Sequence, residues 1–156
     1  MKTLILYATK HGAAREAARR IADKIDGAVL HYLKQGGVPP LAGFDCVIIG
    51  SSVYVGSFRK EAKTFLAQNA EVLRSKRLGI FLCGMDASQE QAYLKANVPP
   101  DILQTAKGAC FLGGIFDPKK AGAMGRFIMK AVAKQSEYTD TIDNEKIAQF
   151  AEGMRA

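Results

Sequence analysis

Short runs of consecutive apolar residues recur five times along the chain, separated by polar or glycine-containing stretches. Such runs, bounded by turn-forming residues, are typical of strands that are buried on both faces of a sheet. We therefore predict five β-strands, over Lys2–Tyr7, Ala28–Leu33, Asp45–Ser51, Leu78–Cys83 and Ala109–Leu112.

Between these runs, apolar residues recur every three or four positions, which is the spacing of one face of an α-helix. The pattern predicts helices over residues 14–25, Lys60–Gln68, Gln89–Asn97 and 147–154. A further helix is predicted between the last two of these, from the apolar stripe Met124, Phe127, Ile128, Ala131 and Val132. The helix over Gln89–Asn97 is expected to end before Pro99 and Pro100, and Asp143 is the expected N-cap of the last helix.

Strands that alternate with amphipathic helices predict a parallel sheet with helices on both faces. The 156 residues are the usual size of one domain, so we predict a single doubly wound five-stranded α/β domain over 1–156. Such sheets bind ligands beyond the carboxyl ends of their strands. Function is therefore expected in the segments after Tyr7, Ser51, Cys83 and Leu112.

The segment after the first strand combines a glycine with basic and hydroxyl side chains. Its residues are Thr9, Lys10, His11, Gly12, Ala13 and Ala14, and it leads directly into the first helix. A glycine in a strand-to-helix turn lets backbone N–H groups face an anion, and the helix dipole favours negative charge. We predict a phosphate site here; a plain tight turn capped by Thr9 is the alternative.

The segment after the third strand is rich in glycine and serine. Ser51, Ser52, Val53, Tyr54 and Gly56 follow a buried strand, and a chain of this composition can approach a flat ligand closely. Tyr54 is the candidate to stack on an aromatic ring. Its alternative role is to cover the edge of the core.

The segment after the fourth strand contains Cys83, Gly84, Met85 and Asp86. We expect it to form the opposite wall of the same pocket, with the polarizable sulfur of Met85 against an aromatic ring. A redox role for Cys83 has no second cysteine or activating group to support it, which favours a small buried residue.

The composition narrows the function classes. The 22 lysines and arginines exceed the 15 acidic residues, giving a formal net charge of +7 that favours anionic partners or serves solubility alone. No apolar stretch approaches the roughly 20 residues of a membrane span. The three cysteines are far apart, which predicts neither a disulfide framework nor a metal site and favours a reducing cytoplasm.

Three other α/β or binding classes do not match. A phosphate-accepting receiver domain needs acidic residues where this chain has Ala8, Thr9 and Gly50. A dinucleotide-binding domain needs G-x-G-x-x-G after the first strand, and only Gly12 is present. No nucleic-acid recognition motif and no acid–base pair are visible, so we predict no catalytic side chain of the chain's own.

Three segments, Thr3–Ala22, Asp45–Phe65 and Phe111–Val132, together resemble the flavodoxin family. The likeness is to the flavodoxin-domain branch that includes menaquinone-dependent protoporphyrinogen dehydrogenase. It implies the strand order 2-1-3-4-5 and a bound FMN, with its phosphate on residues 9–14 and its isoalloxazine ring between residues 51–56 and 83–86. The family usually has Thr or Ser at the position of Ala14, and often a hydroxyl at that of Ala8, so a hydroxyl at either position is expected to add a phosphate contact.

The resemblance implies an FMN-binding redox protein that passes electrons to a partner protein or a quinone. The alternatives are a quinone-linked oxidoreductase similar to the dehydrogenase of that branch and, from a different class, a non-catalytic anion- or nucleic-acid-binding module. We expect no stable nucleic-acid complex. The apolar stripe in Pro118–Lys134 is expected to pack on the sheet, while the basic residues of that segment either stay solvated or touch an anionic membrane surface.

Overall fold

The computed structural model describes residues 1–120, 122–123, 126–127 and 137–155. The main sheet contains the parallel strands β1 (Thr3–Ala8), β2 (Val29–Tyr32), β3 (Cys46–Tyr54), β5 (Arg77–Cys83) and β6 (Gly108–Phe111), in the order β2-β1-β3-β5-β6. Counted along the chain without the short strands, this is the predicted order 2-1-3-4-5, which is confirmed. Strand β4 (Ser57–Phe58) pairs with the end of β3, and β7 (Ile115–Phe116) pairs antiparallel with β8 (Thr139–Asp140).

The helices with defined bounds are α1 (Ala13–Ala22), α2 (Lys60–Gln68), α3 (Ala70–Arg74), α4 (Glu90–Asn97), α5 (Pro100–Thr105) and α6 (Asn144–Arg155). The prediction for α2 is confirmed at both ends, and α4 ends at Asn97, before the two prolines, as expected. Asp143 caps α6, because its carboxylate accepts the N–H groups of Glu145 and Lys146 at 3.0 Å each. No helix in the described ranges is long and apolar enough to cross a membrane.

The side chains of successive residues in the central strands pack alternately into two hydrophobic cores, one on each face of the sheet. Val47 and Ile49 pack on the face that α2 to α5 cover, whereas Ile48 packs on the face that α1 and α6 cover. All three are fully buried, and each such side chain contributes about 1.5–3 kcal/mol of hydrophobic stabilisation. A strand with both faces buried reads as a continuous apolar run, which is why β1, β3 and β5 were predictable.

Strand β3 does not end at Ser51 as predicted but continues to Tyr54 and turns back into β4. Val53 pairs with Phe58 and Tyr54 with Ser57, so the expected open loop is a β-hairpin. Its two-residue turn, Val55-Gly56, has positive φ at both positions, 50° and 75°. Two positive φ values in a two-residue loop are the mark of a type I′ turn, whose twist matches that of the strands.

Two short helices, α3 and α5, were not predicted. Five or six residues are too few to display a helical period in the sequence, and Pro100, interpreted as a stop signal, instead occupies the first turn of α5. Of the predicted stripe between Met124 and Val132, Met124, Ile128, Ala131 and Val132 lie outside the described residues. Phe127 is described, and 69% of it is exposed. The prediction that it packs on the sheet is therefore wrong. The segment lies between β7 and β8, which pair with each other and not with the main sheet.

Candidate cofactor-binding site

The register of the sheet brings the three predicted segments to one edge. Ala8 at the end of β1 is level with Ser51 of β3, and Ser52 is level with Cys83 at the end of β5. The segments that begin at Thr9, Ser51 and Gly84 are therefore neighbours at the carboxyl edge of the sheet. This is the edge at which a doubly wound sheet binds its ligand.

The first segment, residues 9–14, is a tight turn that opens a helix. The Gly12 N–H donates to Thr9 Oγ1 at 2.9 Å, and Gly12 has a left-handed φ of 100°, which favours glycine. Gly12 is the N-cap residue of α1, and no side chain caps the N-terminal end of this helix by a hydrogen bond. The first N–H groups of α1 consequently have no acceptor within the helix and are available to an anion.

Ala13 and Ala14 contribute to this turn only through their backbone, because their methyl groups belong to the core under α1. Ala14 is fully buried and Ala8 is 1% exposed. A hydroxyl at either position would lie in the core rather than at the mouth of the turn. The expectation that these two alanines each omit a phosphate contact is therefore not supported by where their side chains lie.

The first segment is tied to the hairpin by two contacts of Lys10. Its N–H donates to Ser52 Oγ at 3.0 Å, and its Nζ lies 3.3 Å from the centre of the Tyr54 ring. The second contact is a cation–π interaction, which is stronger where water is excluded. The face of Tyr54 that Lys10 covers is thus directed at the turn formed by residues 9–14 and not at the core.

Positive charge converges on His11. Burial lowers the pKa of His11 below its ordinary value of 6.5, and the nearby cations Lys10, Arg59 and Lys120 lower it further. His11 Nε2 is buried and has no hydrogen-bond partner among the described residues. A neutral imidazole with an unsatisfied nitrogen, surrounded by cations, indicates a place where an anion or a polar ligand is expected.

A cleft of about 680 Å³ opens beside this turn. It is lined by Thr9, Lys10, His11 and Gly12 of the turn. The lining also includes the basic residues Arg15, Arg20 and Lys120 and the acidic residues Glu16, Asp117 and Asp140. Its remaining lining residues are Tyr32, Ile115 and Tyr138. The last three come from β2, from β7 and from the residue before β8, and nothing in their local sequence marks them as neighbours of the turn.

The hairpin is held at its base by side-chain hydrogen bonds. Ser51 Oγ accepts the Arg59 N–H at 2.8 Å and donates to the Ser52 carbonyl at 2.9 Å. Asn97, the last residue of α4, accepts the Phe58 N–H through Oδ1 and donates to the Gly56 carbonyl through Nδ2. Asn97 was not among the predicted site residues, because a polar residue at a helix end carries no signal for a contact 41 residues away.

The third segment, residues 83–86, contributes less than expected. Cys83 is fully buried and burial raises its thiol pKa, so its side chain belongs to the core and not to the pocket wall. The Gly84 N–H donates to the Gly113 carbonyl at 3.0 Å. Asp86 accepts the N–H and the hydroxyl of Ser88, so it caps the short 3₁₀ turn Ala87–Gln89. Met85 is half-buried and, of the four residues, has the side chain that best suits a contact with a ring.

The cysteines and acidic residues do not form a second centre. Cys46, Cys83 and Cys110 are free thiols, and burial raises the pKa of Cys110 to about 12. Within the described ranges no three His, Cys, Asp or Glu residues are grouped to hold a metal ion. The arrangement can bind an anion on the α1 turn and a flat ring near Tyr54.

Several known proteins are similar to this chain in sequence or in fold. Protoporphyrinogen IX dehydrogenase [quinone] of Escherichia coli K12 is 26% identical over 172 aligned positions, covering 97% of this chain and 93% of that protein. The fold is also that of a flavodoxin from Streptococcus pneumoniae TIGR4 (TM-score 0.64, 16% identity, 99% of this chain and 98% of the other). A Fusobacterium nucleatum flavodoxin bound to flavin mononucleotide has a TM-score of 0.54 at 14% identity, over 99% of this chain and 96% of the other.

The sequence also matches the flavodoxin domain family over residues 4–143, which include the five strands of the main sheet, except Thr3, and the three segments at the carboxyl edge. The chain therefore belongs to the flavodoxin domain family.

Proposed function

We propose that this protein binds one FMN non-covalently and transfers electrons through it. The observation that carries the proposal is the junction of the α1 turn with the β3–β4 hairpin, made by the Lys10 N–H on Ser52 and the Lys10 ammonium on Tyr54. It unites an anion site and an aromatic face at one edge of the sheet. A flavin mononucleotide carries both a phosphate and an aromatic ring.

The residues present fit the phosphate. The uncapped N–H groups at the start of α1 provide donors, and the cations that lower the pKa of His11 provide charge. His11 itself, neutral in the free protein, keeps one ring N–H that can donate to a phosphate oxygen. A phosphate beside these cations would in turn raise the pKa of His11, because an opposite charge favours the imidazolium.

The residues present also fit the ring. Tyr54 presents an aromatic ring beside the turn, with the Lys10 ammonium on one face, and Met85 lies in the adjacent segment. When bound, the flavin supplies the redox chemistry, and the protein supplies binding, orientation and electrostatics. Three free cysteines are consistent with work in a reducing cytoplasm, which stays a prediction.

The absorption spectrum of the purified protein and a titration with FMN and riboflavin test this proposal. We expect a flavin spectrum, one site per chain, and binding of riboflavin that is weaker because it lacks the phosphate. Gly12→Ala should weaken FMN binding by straining the turn at φ 100°. Gly27→Ala is the matched control, since Gly27 also has a positive φ and open space but lies at the far end of α1. A colourless protein that binds neither flavin refutes the proposal.

A second candidate function is the oxidation of a porphyrinogen with electrons passed to a quinone. The observation that favours it is the 26% identity to the Escherichia coli dehydrogenase over nearly the whole of both chains. The alignment of 172 positions is 16 longer than the 156 residues of this chain, so that enzyme has residues with no counterpart here. Turnover of protoporphyrinogen with menaquinone analogues distinguishes an enzyme from a shuttle, which would reduce partner proteins and leave the porphyrinogen unchanged.

The partner of a shuttle is expected to be anionic. Lys119, Lys120 and Arg126 are exposed on the segment that follows Asp117, whereas Lys130 and Lys134 of the same predicted basic face lie outside the described residues. Each basic residue near an anionic surface contributes about 1 kcal/mol. A salt-sensitive contact with an anionic membrane therefore stays a prediction for this segment.

A further inference from the structure

We propose that Asn97 is the positioning residue of the hairpin that carries Tyr54, and that it thereby sets the affinity for the flavin ring. The inference rests on the proposed function for its ring-binding part. Asn97 lies at the end of α4, outside the predicted site, and only 7% of it is exposed.

The Asn97 side-chain amide makes three hydrogen bonds, in which its oxygen accepts once and its NH₂ group donates twice. Oδ1 accepts the Phe58 N–H at 2.9 Å, and Nδ2 donates to the Gly56 carbonyl at 3.0 Å and to the Tyr93 carbonyl at 2.8 Å. Of the two hairpin partners, Gly56 lies in the turn itself and Phe58 lies in β4, the strand that follows it. One buried side chain therefore ties both the turn and the strand that follows it to the end of α4.

The hairpin needs such a clamp because its own bonds are few and its turn is strained. Only two residue pairs join β3 to β4, Val53 with Phe58 and Tyr54 with Ser57. Val55 has a φ of 50°, a conformation that a β-branched residue rarely adopts, and it is 75% exposed, so little packing compensates. Strained backbone of this kind persists only where the surroundings determine it.

The clamp acts on the ring and not on the phosphate. Tyr54 is adjacent to the turn, so a change in the turn changes the direction in which its ring faces. The backbone of the phosphate turn is held by the Gly12 N–H on Thr9 and the Lys10 N–H on Ser52, and Asn97 has no hydrogen bond to any of these four residues. The binding free energy of FMN should therefore divide into a ring contribution that depends on Asn97 and a phosphate contribution that does not.

Paired titrations with FMN and riboflavin test this division. In Asn97→Ala the Phe58 N–H and the Gly56 carbonyl lose their partner. In Asn97→Asp one carboxylate oxygen can still accept the Phe58 N–H, but the oxygen that replaces Nδ2 faces the Gly56 and Tyr93 carbonyls and cannot donate to them. Losing one partner of a buried hydrogen bond costs enough to weaken binding by about tenfold. We expect both variants to bind FMN and riboflavin about tenfold more weakly, so that the ratio of the two dissociation constants stays as in the unmodified protein.

Asn69→Ala is the matched control. Asn69, the C-cap residue of α2, also donates from Nδ2 to a backbone carbonyl, that of Phe65 at 3.0 Å, but its side chain makes no hydrogen bond to the hairpin in the described part of the chain. We expect it to change protein stability without changing either flavin affinity. Unchanged affinity in a folded Asn97→Ala, or a loss confined to FMN, would overturn the proposal.

Hydrogen exchange of the flavin-free protein gives a reading that does not need the cofactor. Peptides that span residues 53–58 should exchange faster in Asn97→Ala and Asn97→Asp than in the unmodified protein, whereas those from α1 should not. Unaltered exchange at the hairpin refutes the positioning role. A protein that binds no flavin but shows the faster exchange would refute the proposed function while leaving Asn97 as the clamp of the hairpin.

Discussion

The strained turn of the β3–β4 hairpin gives the sharpest test of the structure. Val55 is the only non-glycine residue with a positive φ among the described residues, and it precedes Gly56 in a two-residue turn. Asn-Gly is the preferred pair in such a turn, because asparagine tolerates the left-handed conformation. The substitution Val55→Asn should therefore stabilise the protein while leaving the fold unchanged.

The magnitude follows from two opposing terms. A non-glycine residue in the left-handed conformation costs roughly 1–2 kcal/mol, of which asparagine avoids a large part. Val55 is 75% exposed, so the substitution gives up about one quarter of the roughly 1.5–3 kcal/mol that complete burial of valine provides. The net gain should be about 0.5–1 kcal/mol, which raises the melting temperature of a domain of this size by about 1–4 °C.

Urea unfolding, followed by circular dichroism, measures this difference as a shift in the midpoint at constant slope. Val72→Asn is the control, because Val72 is 42% exposed but lies in α3 and has no positive φ. We expect that control to be neutral or destabilised. A Val55→Asn protein that is no more stable than the original would mean that the turn is not strained as described.

Three further outcomes follow from particular contacts. Gly50→Ala should cost more than about 2 kcal/mol in the free energy of unfolding or prevent folding, because its Cβ would lie 1.9 Å from the ring of Phe81. NMR titration should give His11 a pKa below 6.5 that rises when FMN is added. Because the unfolded chain binds this proton more tightly than the folded protein, the His11 contribution to stability is present above pH 6.5 and is lost as the pH falls below that value. The variant His11→Gln should remove this pH dependence. If the basic segment binds anionic vesicles at low salt, the double variant Lys119→Glu/Lys120→Glu should reduce co-sedimentation, and absence of binding at low salt would contradict membrane contact.

The site combines predicted and unpredicted residues in a consistent way. Residues 9–12 were predicted from a glycine beside hydroxyl and basic side chains, and the structure places them together at the start of α1. Arg59 and Lys120 approach the same histidine from positions 48 and 109 residues further along the chain. Cys83 and Asp86 belong to the third segment, residues 83–86. The Cys83 thiol is buried in the core, and the Asp86 carboxylate caps the short turn that follows it.

The sequence alone determined the class of the fold. Continuous apolar runs mark β1, β3 and β5 because both faces of these strands are buried, and helical spacing marks α2 because one of its faces is buried. The tight turn that leads into α1 was also predictable, since its signal, a glycine between a strand and a helix, is local. Each of these features is indicated by residues that lie in the same strand, helix or turn, and therefore close together in the sequence.

Tertiary structure alone decided the remainder. The extension of β3 into a hairpin depends on pairing with β4, the strained Val55 turn on the clamp from Asn97, and the inward direction of Ala14 on how α1 lies on the sheet. Each is a contact between residues that are distant in sequence, and each position has more than one favourable local conformation. Only the packing of the complete chain selects among them, because the energy that distinguishes the alternatives comes from the partner and not from the residue itself.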